Sequence, residues 1–213
     1  MIIQEVIKGL NNLDDPDVDQ IFEEGIKCNW WRTVGNLPRD QVVVRLTEPN
    51  LDWHQNSFQK PDPSQGNQPF SKNTPFISTT AGTVARDTVN RTNTLTHAWK
   101  TALYFATNHW RTDGWLFYCH LFLIGKPAVE VEAFSEELRE LNIYTAFSPF
   151  YLEGEITAKI VLPSVQIERA DFWSLADAKN AVAAGNLPAA SRTKSNKHYK
   201  SPDSYNNLRK LLG

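Results

Sequence analysis

Two acids flank a glycine at Glu153-Gly154-Glu155, at the entrance to the apolar run Ile156-Thr157-Ala158-Lys159-Ile160-Val161-Leu162 that Pro163 stops. The β-branched content of that run predicts a strand. Where extended backbone reaches back to Glu153, the two carboxylates share a face, roughly 6.5–7 Å apart at the rise of a strand. Gly154 leaves the other face open to a close approach by ligand or backbone. Carboxylates so placed can divide the chemistry: one steadies positive charge developing on a ligand, and the other orients or deprotonates an acceptor. The plainer alternative is a solvated strand end, since acids usually lie outside. The pair therefore gains meaning only from partners elsewhere in the chain.

Arg45 is the first such partner. It closes the run Gln41-Val42-Val43-Val44, where a doubly buried strand would carry another aliphatic. Its planar donor fork suits phosphate, although an arginine at an exposed strand end is the simpler reading. The second is Ser78-Thr79-Thr80, three hydroxyls ending a short strand after Thr74-Pro75-Phe76-Ile77. Such hydroxyls either terminate strands or, in the sharper reading, hold a carboxylate in one rotamer through Ser78. Phe150 and Tyr151 stand just ahead of the two acids.

The elements that must position these groups follow from periodicity. Ile2, Ile3, Val6, Ile7 and Leu10 recur at helical spacing and predict a first helix. A second begins at Asp15-Pro16, with the stripe Val18, Ile21, Phe22 and Ile26. The stretch 48–74 is polar and proline-interrupted and predicts a long loop, whose Trp53, His54 and Phe58 either pack it onto the body, the simpler reading, or stack on a ligand. Asn93 or Thr94 caps a helix to about His109, and Trp115 to Ile124 reads as an aromatic-rich strand. Short elements are expected at Val129 to Val131 and from Ser135, and a last strand at Val165 to Ile167. Ser174 with Asp177 opens an alanine-rich helix ending at Gly185. A basic connector runs from Arg192 to Lys200, either a solvated linker or a local polyanion patch, and Ser201-Pro202 starts a final helix.

A chain of 213 residues that is 41% hydrophobic supports one sizeable core, so a single domain is expected over 1–213. Within it, 1–40 reads as helical scaffold, 41–170 as the catalytic core and 171–213 as a helical appendage. A net charge of −2 gives no global attraction to nucleic acid or anionic membrane. Cys28 and Cys119 sit in apolar surroundings without C-x-x-C spacing, which fits buried free thiols. The five histidines show no metal-binding spacing, so no metal site is expected. No signal peptide or membrane-length apolar run is visible, and a cytoplasmic location is expected.

The order of these features, Arg45 closing an early strand, then Ser78-Thr79-Thr80, a helix, an aromatic strand and Glu153-Gly154-Glu155, resembles the arginine-serine-glutamate class of mono-ADP-ribosyltransferases. The likeness to its cholera-toxin-like and pierisin-like members covers roughly Val42 to Ile167. The resemblance implies an α+β fold with two small, mostly antiparallel sheets around an NAD cleft and helices outside. NAD is then the substrate and no metal is used. Arg45 would contact the phosphates and ribose of NAD, alongside the hydroxyls of Ser78, Thr79 and Thr80. Ser78 would also position the catalytic glutamate, and Glu155 would bond the 2′-hydroxyl of the nicotinamide ribose. Glu153 would serve the acceptor, with Phe150 and Tyr151 beside it. Glutamate at 153 resembles the members that modify protein arginine, with a nucleic-acid base as the other acceptor class. The setting implied is an intracellular toxin of a toxin-antitoxin or phage-defence system with an antitoxin partner, a delivered effector domain being the competitor. The remaining alternatives are an NAD glycohydrolase and a binding module of the same fold without chemistry.

Overall fold

A computed structural model describes residues 2–35, 44–81, 94–123 and 155–202. The elements are β1 (Ile2–Asn11), α1 (Asp15–Glu24), β2 (Ile26–Lys27), α2 (Asn29–Val34), α3 (Glu48–Asn56), β3 (Pro61–Asp62) and β4 (Gln68–Pro69). They continue with β5 (Phe76–Ala81), α4 (Thr94–Ala106), β6 (Gly114–Leu123), β7 (Glu155–Lys159), β8 (Val161–Leu162), β9 (Ile167–Trp173), α5 (Leu175–Ala184) and β10 (Arg192–Ser195). The architecture is α+β. One six-stranded sheet runs in the order β10-β9-β6-β1-β5-β7, and the ribbons β2-β8 and β3-β4 are separate. Every pairing is antiparallel. The expected α+β class with antiparallel sheets is seen, and among the described residues one six-stranded sheet dominates where two small sheets were expected.

The N-terminal segment is the largest departure from the sequence reading. Residues 2–11 form the central strand β1, paired along its whole length with β6, instead of a scaffold helix. Apolar residues at Ile2, Ile3, Val6 and Ile7 satisfy helical spacing, yet they equally suit a strand covered on both faces, and their β-branching favours the strand. Val6 enters the core with Val18, Phe22 and Phe117, while Ile7 enters the opposite core with Leu103, Leu116 and Trp173. The sheet is therefore sandwiched. Helices α4 and α5 cover one face, and α1 with Cys28, Trp30, Leu46 and Leu51 covers the other.

Helix α4 lies directly on the strands because two glycines admit it. A Cβ on Gly9 would stand 2.1 Å from the Ala102 carbonyl oxygen, and one on Gly114 would stand 1.7 Å from that of Ala106. The expected caps largely hold. Asp14, one residue before the expected Asp15, closes a capping box with Asp17 at the start of α1. Ser174 caps α5, and Gly185 ends it in a left-handed conformation.

The stretch predicted as a long loop starts as a helix. Thr47 accepts the Asn50 N–H and Pro49 sits in the first turn, which is an ordinary helix start. In the strand predicted over 41–46 the described residues are Val44 and Arg45, which are helical, and Leu46, which lies outside any element and is buried. The run Ile156 to Leu162 is two strands, broken at Ile160, which adopts φ 60. Its carbonyl accepts the Cys28 N–H and its own N–H donates to Pro75, so the chain leaves the main sheet and β8 pairs with β2. The strand expected at 165–167 is a 3-10 turn followed by the longer β9.

The basic connector is neither a linker nor a free cationic patch. Residues 192–195 form edge strand β10, and their charges meet the acidic face of α1. Arg192 pairs with Asp15 at 2.9 Å, Lys194 with Asp19 at 2.6 Å, and Lys197 and His198 with Glu23 at 2.8 and 2.9 Å. Both cysteines are buried and free, as expected. No helix among the described residues is long and apolar enough to cross a membrane. The short elements expected between 129 and 151 and the final helix from Ser201 fall on or run into residues outside the described set.

Gly9→Ala tests the close packing of α4 on β1. Because the added methyl meets backbone, the expected cost is about 3 kcal/mol, at the upper end for overpacking. Urea unfolding of the variant against wild type measures it, and an unchanged midpoint would show that α4 does not sit this close.

Candidate functional site

Strand β1 pairs with β6 over ten positions and, among the described residues, with β5 at Val6↔Ala81 and Ile7↔Thr80. Beyond those two pairs β1 and β5 part, and a cleft of about 1100 Å³ opens where they separate. Sites for small ligands typically occupy roughly 300–1,000 Å³, so this one takes a large ligand. Lys8, His54, Ser78, Thr80, Tyr104 and Glu155 are among the residues lining it.

Strands β5 and β7 bring three of the predicted residues, Ser78, Thr80 and Glu155, together. Their register sets Ser78 opposite Thr157 and Thr80 opposite Glu155. Opposed residues and alternate positions share a face, so Ser78, Thr80, Glu155 and Thr157 point the same way. Glu155 opens β7 with its side chain only 11% exposed, and its Oε1 accepts the Thr157 hydroxyl at 3.3 Å. Thr79 points to the other face and donates to the Ile156 carbonyl at 2.6 Å, so its hydroxyl serves the sheet.

His54, on α3, completes the cluster. Its Nε2 lies 2.8 Å from Ser78 Oγ and 3.6 Å from Glu155 Oε1, and its Nδ1 lies 2.8 Å from Thr74 Oγ1. The ring is 4% exposed and is wedged edge-on against Phe58 at 5.3 Å. Burial alone would raise the Glu155 carboxyl. The donor contact from His54, the Ser78 hydroxyl and the Lys8 ammonium outweigh it and hold the group below the usual glutamate value. Glu155 is thus an ionised carboxylate nearly withdrawn from water.

Lys8 is the cation brought to this cleft by the central strand. Burial lowers its pKa to about 8, against the opposing pull of Glu155 and Cys119. Arg45 is placed elsewhere. Its guanidinium donates to the Asn73 carbonyl at 2.5 Å and lies over the Trp30 ring at 5.0 Å. Burial lowers its pKa while Asp62 pulls the other way. It is not among the described residues lining the cleft. Glu153, Phe150 and Tyr151 lie outside the described residues.

Sequence reasoning missed His54 and Lys8. The signal for His54 was Thr47-Glu48-Pro49, a helix start that would have put His54 on a rigid element instead of a loop. For Lys8 it was a lone lysine inside Val6-Ile7-Lys8-Gly9-Leu10, unusual once that stretch is a central strand. Tyr104 and His109 stack at 4.6 Å on the cleft wall, a planar surface beside the charged groups. Among the described residues no group of His, Cys, Asp and Glu is arranged to hold a metal ion. Chemically, the cleft offers an ionised carboxylate backed by donors, a nearby cation and an aromatic wall.

No protein-family model matches the chain, and a search of curated proteins finds no match.

The lowered pKa of Lys8 has a consequence for stability. Between pH 8 and 10.5 the unfolded chain holds a proton on Lys8 that the folded chain has released. Folding stability contributed by this group therefore rises with pH across that window. Lys8→Met removes the effect, so wild type should gain on the variant as pH rises from 8 to 10.5. Urea midpoints of both proteins at the two ends of the window measure this, and a constant gap would contradict the burial of a charged Lys8.

Proposed function

We propose that the protein transfers ADP-ribose from NAD to a macromolecular acceptor, with nicotinamide as the leaving group. The observation that carries this reading is Glu155, a nearly buried carboxylate kept ionised at a cleft large enough for a dinucleotide. Cleaving the bond between nicotinamide and ribose develops oxocarbenium charge, and a fixed carboxylate beside the ribose stabilises it. Nicotinamide departs from a cationic ring and needs no protonation, so one carboxylate suffices for cleavage. Ser78 holds that carboxylate, in keeping with the role implied for it by resemblance.

In this reading the positive charge offered to the pyrophosphate comes from Lys8, because Arg45 is engaged by Asn73 and Trp30. Tyr104 and His109 offer a stacking wall for one of the two bases. Glu153 is assigned to the acceptor, which favours a protein arginine. That choice also fits the pairing of Arg192, Lys194, Lys197 and His198 with acids of α1, which offsets much of the positive charge they would offer a nucleic acid. The biological setting that suits such an enzyme is an intracellular toxin restrained by an antitoxin protein.

Radiolabelled NAD incubated with the protein and cell lysate tests the activity. Label should enter protein and be released by protease, and Glu155→Gln should lower the rate about 10²- to 10³-fold, the usual loss when one transition-state contact is removed. Label released by nuclease instead would move the acceptor to nucleic acid. Free ADP-ribose alone would assign water as acceptor, and full activity in Glu155→Gln would end the proposal.

A further inference from the structure

We propose that His54 is a positioning residue that fixes the direction of the protons around Glu155, keeping this carboxylate a pure acceptor for a ligand hydroxyl. The identity of that ligand rests on the transfer reading above, whereas the hydrogen-bond geometry does not depend on it. Thr74 Oγ1 already accepts the Phe76 N–H at 3.2 Å and lies 2.8 Å from His54 Nδ1. A threonine hydroxyl has one proton to give, and among the described residues Nδ1 is the acceptor in reach of it. The network therefore assigns the proton of the neutral ring to Nε2.

From Nε2 the N–H faces Ser78 Oγ at 2.8 Å, with Glu155 Oε1 3.6 Å away. Ser78, having accepted from His54, keeps its own proton free to turn toward the Glu155 carboxylate on the same face of the β5-β7 pair, which it helps to hold ionised. Thr157 adds a second hydroxyl to the same oxygen. The hydrogens thus run one way, from Thr74 through His54 and Ser78 to Glu155. The opposite tautomer would take the Ser78 proton onto Nε2 and leave the carboxylate without it. Phe58, and Phe76 at 5.7 Å, pack on the imidazole and hold this orientation. Lys8 on β1 is the further charged group acting on Glu155; the face of β5 and β7 that carries Glu155 also bears the hydroxyls of Ser78, Thr80 and Thr157, with the buried Lys159 two positions beyond Thr157.

The test compares His54→Phe, His54→Gln and wild type, with Lys8 intact in all three. His54→Phe removes the donor, and His54→Gln restores an N–H toward Ser78. In His54→Phe, kcat for nicotinamide release should fall about tenfold to a hundredfold with KM for NAD little changed, the scale of one charge-assisted hydrogen bond. The acid limb of its pH profile should move to higher pH, because Glu155 loses part of what holds it ionised. Carbon NMR titration of the Glu155 carboxyl should move the same way, and His54→Gln should recover most of both shifts. A folded His54→Phe whose carboxyl titrates as in wild type, or a His54→Gln indistinguishable from His54→Phe, overturns the proposal. If His54→Phe does not fold, Thr74→Val, which removes only the hydroxyl that sets the tautomer, takes its place with the same expected upward shift. An unmoved titration there also overturns the proposal. Should wild type turn over no NAD, the transfer reading falls, while the carboxyl titration still decides the role of His54.

Discussion

An ionised carboxylate that water barely reaches must be surrounded by donors, because an uncompensated buried charge costs several kcal/mol. Glu155 meets that demand with groups drawn from four separate elements: Ser78 on β5, Thr157 on its own strand β7, His54 on α3 and Lys8 on β1. No one of these elements supplies enough by itself. The tertiary arrangement is therefore constrained most tightly where the β5-β7 edge, α3 and the central strand converge. A site assembled in this way is sensitive to the relative placement of its elements, which explains why so much packing is spent on fixing them.

Two devices do the fixing. The first is the rigid body of β1, β6 and α4. Ten paired positions join β1 to β6, and Gly9 and Gly114 let α4 lie against both strands at a distance no other residue permits. The second is the β5-β7 pair, whose five-residue register sets Ser78 and Glu155 on one face. Among the described residues the two bodies share Val6↔Ala81 and Ile7↔Thr80, and from Lys8 and Thr79 onward the strands part. The cleft is a product of this unequal pairing. Where β1 stays with β6 and β5 stays with β7, the space between them remains for a ligand, and the side chains at the parting strands become its lining.

Much of this was legible in the chain, for reasons that differ by residue. Ser78 and Glu155 were readable because unusual polar groups stood at the ends of short, strongly β-branched runs, where local pattern and local structure agree. The caps of α5 and the aromatic strand β6 were readable for the same reason. β1 was misread because its apolar spacing fits two periods, and only its partners on both sides decide between them. His54 stayed hidden behind the prolines of 48–74, although Pro49 sits in a first turn that tolerates it. Arg45 shows the limit of motif order: its type and position suggested a phosphate contact, but the side chain found a carbonyl and an indole ring nearer by. Sequence spacing indicates which strand a residue occupies more reliably than which cavity it faces.

The pairing of Lys8 with Glu155 carries a final consequence. Each group alone would be driven by burial toward its neutral form, and each is held nearer its charged form by the field of the other. For Glu155 the donors from Ser78 and His54 add to this and the charge wins. For Lys8 burial wins in part, which leaves an ammonium whose charge is only loosely retained near neutral pH. Such a cation is poised to gain from an anion entering the cleft, because a phosphate near it replaces the solvation that burial removed. The carboxylate gains nothing from that anion and instead has its acceptor oxygens to offer. The cleft is therefore polarised before any ligand arrives, with a cation that improves on meeting negative charge and a carboxylate that improves on meeting a donor or developing positive charge. A ligand that carries both phosphate and a hydroxylated, electron-poor ring satisfies the two at once.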